Sequence, residues 1–125
     1  MTRILIADDS ETILLLMRTR LEMEGYDVTT CADGHEVEAQ LAETPDSQLP
    51  DLILLDAMMP GKSGLDVLRD MRGSGDDTPV LIVSAHREEE GLGETQKLGA
   101  AGFVGKPIDF DDLLARIAKL TNSRA

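Results

Sequence analysis

The sequence predicts an α/β fold, a single doubly wound five-stranded parallel sheet with helices on both faces. Three observations point there. The runs ILIA (4–7), LILL (52–55) and VLIV (80–83) lack alternation and are too short for helix faces, so each reads as a strand buried on both sides. Each run then stops on polar residues, Asp8-Asp9, Asp56 and Ser84 respectively. Between the runs lie segments with helix-start and helix-stop residues, and strands alternating with helices imply a parallel sheet joined by right-handed crossovers.

Taken in order, the first strand (4–7) is followed by Ser10, a good N-cap. The helix it opens is rich in Leu, Met, Arg and Glu and runs to about Glu24, where Gly25 is placed to end it in the left-handed conformation. Residues 26–31 carry β-branched Val28, Thr29 and Thr30 and suit a second strand. Asp33 followed by Glu36 matches a capping box for a second helix through about Glu43, and Pro45 and Pro50 bracket a polar loop. The third strand delivers Asp56 to the rim of the sheet on a turn broken by Pro60-Gly61.

Residues 63–72 read as a third helix with Leu65, Leu68 and Met71 on one face, and 73–79 form a turn-rich connector. The fourth strand (80–83) ends at Ser84. Residues 87–98 are charged and interrupted by Gly91 and Gly93, which predicts a weak, mobile fourth helix. Residues 101–104 make a short fifth strand, and Lys106-Pro107 a turn. Asp109 and Asp112 open a last helix whose stripe is Phe110, Leu113, Leu114, Ile117 and Leu120.

A chain of 125 residues is expected to be one domain over its whole length, and it can bury a core without staples. That core must be aliphatic, because Tyr26, Phe103 and Phe110 are the aromatic residues. The net charge of −12 argues against nucleic-acid partners and against an anionic membrane surface. With one cysteine, Cys31, no internal disulfide can form. The apolar run at 4–7 is too short for a signal peptide or a membrane span, so the cytoplasm is the expected address.

A parallel sheet puts every strand's carboxyl end on one rim, which is where ligands bind in open α/β sheets. There the sequence places Asp8, Asp9, Asp56, Ser84 and Lys106. Three converging carboxylates would repel strongly, since two unit charges about 4 Å apart cost on the order of 4 kcal/mol at an effective dielectric of 20. Mg²⁺ fits as the offsetting cation, being a hard ion commonly held by one or two carboxylates together with phosphate oxygens. With the metal and Lys106, three negative charges meet three positive ones, and the site becomes receptive to a dianionic phosphoryl group. The available nucleophile is a carboxylate. Each residue alone has a plainer role: Asp56 as a loop cap, Asp8-Asp9 as helix-capping carboxylates, Ser84 as a strand end, Lys106 as a surface lysine. Together on one rim they are hard to explain as coincidence.

On this pattern the chain resembles the receiver domain of two-component response regulators, a flavodoxin- or CheY-like (βα)5 fold with strand order 2-1-3-4-5. The resemblance covers essentially all of the sequence: an acidic pair after strand one, Asp after strand three, Ser after strand four and Lys-Pro after strand five. It implies that Asp56 is the phosphoacceptor and that Asp9 binds Mg²⁺ directly, with Mn²⁺ as a substitute, while Asp8 binds largely through water. The Met58 backbone carbonyl would be the remaining protein ligand. Ser84 would hydrogen-bond a phosphoryl oxygen, Lys106 would pair with it, and the Lys106-Pro107 peptide would be cis.

The implied function is a signalling switch that catalyses its own phosphorylation from phosphohistidine and its own dephosphorylation. Met58 and His86 stand where the family tunes hydrolysis, and Met58 has no polar group to orient water, so a modest dephosphorylation rate is expected. His35 reads as a helix surface residue. Ser84 and Phe103 are the expected switch pair, remodelling the face of the fourth helix, fifth strand and fifth helix for a downstream protein, although the plain role of Phe103 is core packing. The partners implied are a sensor histidine kinase or histidine phosphotransfer protein, docking on the Ile13, Leu14 and Met17 side of the first helix, although burying a helix face is the default use of such residues. The expected state is a monomer or a phosphorylation-promoted dimer, with output by protein contact.

Three rivals remain. A non-phosphorylated receiver acting as a docking module would not need all five site positions filled. An aspartate-nucleophile phosphatase uses an Asp-x-Asp pair, and the second position here is Met58. An FMN carrier needs hydroxyl and Gly donors in the first loop, where Asp8-Asp9 would repel phosphate.

Overall fold

The computed structural model of the chain describes residues 2–85 and 97–122. Five parallel strands form one sheet in the order β2-β1-β3-β4-β5, as expected. They are β1 (Arg3–Ala7), β2 (Asp27–Cys31), β3 (Leu52–Asp56), β4 (Val80–Ser84) and β5 (Gly102–Gly105). Every residue of β3 and β4 is buried, which is what unbroken aliphatic runs need at the centre of a sheet covered on both sides.

The alternation of side chains along each strand sorts the core into two layers. Leu5, Ile53, Leu55, Ile82 and Phe103 face Val37 of α2 (Gly34–Glu43) and Val67, Leu68 and Met71 of α3 (Gly64–Gly73). Ile4, Ile6, Leu52, Leu54, Leu81, Val83 and Val104 face Met17 and Leu21 of α1 (Glu11–Met23). Leu113 and Ile117 of the C-terminal helix (Phe110–Asn122) complete that second layer. The sheet is therefore doubly wound, with two helices on each face among the described residues.

Local chemistry explains most boundaries. The Ser10 side chain accepts from Ile13 N–H to open α1, and Gly25 beyond its end has φ 91°. Ser63 accepts from Asp66 N–H to open α3, and Asp109 Oδ1 accepts from Asp112 N–H at 3.2 Å to open the last helix. The capping box of α2 is shifted. Asp33 accepts from Glu36 N–H, but the Glu36 carboxylate accepts from Ala32 N–H at 2.9 Å, one residue before the position a standard box uses.

Two expectations about faces change. On α3 the deepest side chains are Val67 and Leu68 at 0% exposure, whereas Leu65 is only partly buried, because the stripe i, i+1, i+4 points at the sheet. On α1, Met17 is core and Ile13 and Leu14 pack partly against it, so the exposed apolar residues are Leu15, Leu16 and, at the end of the helix, Met23. Of the expected docking side, Met17 is thus taken up by the sheet, while Ile13, only partly buried, still borders a surface groove with Leu16. The expected fourth helix falls outside the described residues apart from Lys97 and Leu98, and so does His86.

Candidate functional site

The site is built by extending the strand pairings one residue past their ends. The Asp8 amide donates to the Cys31 carbonyl at 3.1 Å, continuing the β1 and β2 pairing, and Asp8 is fully buried. Asp56 is the last residue of β3, paired in register with Val83, and is 5% exposed. The Lys106 amide donates to the Ser84 carbonyl at 2.8 Å, which draws Lys106 to the same rim from β5. Ser84, buried at the end of β4, is the next residue after the partner of Asp56.

The side chains converge. Lys106 Nζ lies 2.8 Å from Asp8 Oδ2 and donates to Asp56 Oδ2 at 3.3 Å. Asp56 Oδ1 accepts from Met58 N–H at 3.2 Å, and Asp8 Oδ1 from Ser10 N–H at 2.8 Å. Oxygens of Asp8, exposed Asp9 and Asp56 all lie within 4.8 Å of one another. The Lys106-Pro107 peptide is cis.

Electrostatics follow from this crowding. Burial pushes the Asp56 carboxyl above its ordinary value; the Asp8 carboxylate adds to that, and the Met58 amide and Lys106 only partly offset it. Burial by itself would lower Lys106, but contact with Asp8 and the charges of both carboxylates win and raise it. One ammonium therefore serves two buried carboxylates, with a third at the surface. Asp8 Oδ2 is buried and, although close to Lys106, accepts no aligned hydrogen bond.

This donor set suits a hard divalent cation. The oxygens, all within 4.8 Å of one another, are close enough to be drawn onto one small ion. An additional positive charge would relieve the like-charge crowding that one shared ammonium leaves.

The structure thus brings Asp8, Asp9, Asp56 and Lys106 together, with Ser84 alongside. The Met58 side chain is 62% exposed and its amide is tied to Asp56. Phe103 is 2% exposed within the α2 and α3 layer. It pairs in register with Ile82, so the period of two puts Ser84 on the same face of the sheet. Gly64 is a residue that sequence reasoning passed over: a Cβ there would overlap the Asp56 carbonyl, so glycine lets α3 start against the acidic strand end. The signal was present as a glycine in the first turn of the helix expected over residues 63–72.

Comparison with known proteins agrees with the geometry. Residues 4–118 match the model of the response regulator receiver domain. The chain is 36% identical over 118 residues to the response regulator MprA of Mycobacterium tuberculosis, covering 94% of this chain and 50% of MprA. It is 40% identical over 114 residues to YkoG of Bacillus subtilis, described as an uncharacterized transcriptional regulatory protein, covering 91% and 48% respectively. The chain spans about half the length of these curated relatives.

Among solved structures, the receiver domain of the Francisella response regulator 1452 superposes with TM-score 0.92 at 30% identity over all of both chains. The response regulator TrrA of Thermotoga maritima, in complex with Mg²⁺-BeF, superposes with TM-score 0.83 at 32% identity over 96% of this chain and 99% of that one. The rim of aspartates, the strand order and these matches together place the chain in the response regulator receiver domain family.

Proposed function

We propose that Asp56 accepts a phosphoryl group from the phosphohistidine of a sensor histidine kinase or histidine phosphotransfer protein. The observation that carries this is the convergence of Asp8, Asp9, Asp56 and Lys106 on one rim, with Asp56 the member held from both sides. Met58 N–H and Lys106 Nζ each take one oxygen of the Asp56 carboxylate, which fixes its orientation for in-line attack. An Asp56 oxygen forms the new bond to phosphorus as the N–P bond breaks, and the imidazole leaves with the bonding pair and is protonated. Lys106 and the Ser84 hydroxyl receive the phosphoryl oxygens.

Asp8, Asp9, Asp56 and the Met58 carbonyl would hold Mg²⁺, or Mn²⁺, which when bound supplies the positive charge that phosphoryl transfer needs. Attack of water on phosphorus then releases phosphate and restores Asp56. The exposed, apolar Met58 side chain offers no group to orient that water, which favours a slow reset.

An apolar groove of about 240 Å³ beside Lys106 is lined by Ile13, Leu16, Pro107, Ile108 and Phe110, and it is the docking surface we assign to the phosphoryl donor. For output, the phosphoryl group draws in Ser84 and lets Phe103, on the same face of the sheet, repack and remodel the surface around β5 and the C-terminal helix. Moving that equilibrium from 1:99 to 99:1 takes about 5.5 kcal/mol of preferential contact.

Intact mass after incubation with acetyl phosphate and Mg²⁺ tests the reading. Wild type is expected to gain one phosphate-sized increment and Asp56→Ala none. An equal gain in both would remove Asp56 as the acceptor.

A further inference from the structure

The loop after the acceptor strand is fastened at a residue that the chemistry above does not use. Lys62 Nζ lies 2.7 Å from Glu38 Oε2 of α2 and also contacts Asp70 of α3, and its side chain is only 19% exposed. Lys62 is the one charged residue between Asp56 and Gly64. Its backbone is gripped as well: a Cβ on Gly34, the first residue of α2, would overlap the Lys62 carbonyl oxygen and crowd its Cβ. Two residues later, Gly64 packs on the Asp56 carbonyl, so the loop from 56 to 64 closes on itself. Met58 sits inside that closed loop, with its amide tied to Asp56 Oδ1.

From this arrangement we infer that Lys62, anchored by Glu38 and Asp70, is a positioning residue. It sets the Met58 backbone against Asp8, Asp9 and Asp56 and thereby tunes the affinity of the rim for a divalent cation. The inference rests on the metal-assisted reading of the site given above. Its physical basis is that Lys62 neutralises two carboxylates on two different helices. Without the ammonium, Glu38 and Asp70 face each other across the loop, α2 and α3 separate there, and the loop follows. Half-exposed ion pairs contribute little to folding stability. Mg²⁺ by contrast demands near-ideal octahedral geometry, so a small shift of one ligand carrier matters far more to affinity than to folding.

The sign of the effect separates position from charge. Removing a lysine makes the domain more negative and by itself would strengthen cation binding, so weaker binding in Lys62→Met reports lost placement.

Titration calorimetry with Mg²⁺ alone, on wild type, Lys62→Met, Lys62→Gln and Lys62→Arg, tests this, with thermal midpoints recorded in chelator. Outer partners of metal ligands typically alter affinity 10- to 100-fold, and this one acts through a loop. Lys62→Met and Lys62→Gln are therefore expected to weaken Mg²⁺ binding about fivefold, and Lys62→Arg to stay within about twofold of wild type. Metal-free midpoints are expected to move by only a few degrees. Unchanged Mg²⁺ affinity in both neutral variants would overturn the inference even if their midpoints fell, since that pattern belongs to a purely structural residue. Failure of wild type itself to bind Mg²⁺ would overturn the metal reading of the rim, a separate result.

Discussion

Leu54 in the middle of β3 and Asp56 at its end are almost equally hidden, 0% and 5% exposed, yet burial acts on them with opposite sign. For Leu54 it removes apolar surface from water and stabilises the fold. For Asp56 it disfavours the ionised form and pushes the carboxyl up, and the buried Asp8 carboxylate pushes it further. The interior of the sheet and its rim are thus built by one set of strands with opposed energetics. The interior holds the rim in place, and the rim stays strained until more positive charge arrives.

Interior and rim should respond differently to substitution. Leu54→Ala should lower stability by about 4 kcal/mol in urea unfolding, with a deficit that Mg²⁺ leaves unchanged. Lys106→Met should cost somewhat less, about 3 kcal/mol in chelator, because it strands Asp8 and Asp56 without their shared ammonium. Here Mg²⁺ should recover much of the loss, raising this variant's midpoint more than it raises that of wild type. Equal Mg²⁺ responses in the two variants would erase the distinction between interior and rim.

Asp56→Asn should go the other way. Removing one of two crowded carboxylates while Lys106 keeps Asp8 is expected to stabilise the metal-free protein by about 1 kcal/mol, at the expense of phosphorylation. A lower denaturation midpoint in chelator would show that the rim is not strained as described.

Much of this division was legible beforehand, and the reason is physical. A strand buried on both faces must be apolar until it leaves the sheet, so the runs at 52–55 and 80–83 announced both the interior and the residue that reaches the rim. Caps are equally local, which is why Ser10, Asp33 and Ser63 were readable as helix starts.

What was not legible depends on pairings between distant elements. Nothing near Lys62 in the chain says that Glu38 and Asp70 will meet it. The need for glycine at Gly64 appears only once the Asp56 carbonyl is known to lie against it. On α1 the spacing of Ile13, Leu14 and Met17 marks one side of the helix, but how far that side is taken up by the sheet depends on the packing of distant strands. The structure turns Met17 inward and leaves Leu15 and Leu16 exposed.

Cys31 shows the effect of burial on an ionisable group in milder form. It sits beside the rim but belongs to the interior, and burial, followed by Glu36 and Asp33, raises its thiol to about 11. A thiol raised on folding contributes stability that is present below its unfolded value and is lost as pH rises through the folded one, here from about 9 to 11. At pH 8 the native thiol should therefore react slowly with a thiolate-specific reagent and quickly after unfolding. Equal rates would place Cys31 in solvent.

Asp56, the carboxylate held by both Met58 N–H and Lys106, is expected to be the one that carries the phosphoryl group. Borohydride reduction of the phosphorylated protein followed by peptide mapping tests it directly, because an aspartyl phosphate is reduced to homoserine where it stood. Homoserine is expected at position 56 and nowhere else; homoserine at position 8 or 9, with Asp56 intact, would rule Asp56 out as the acceptor.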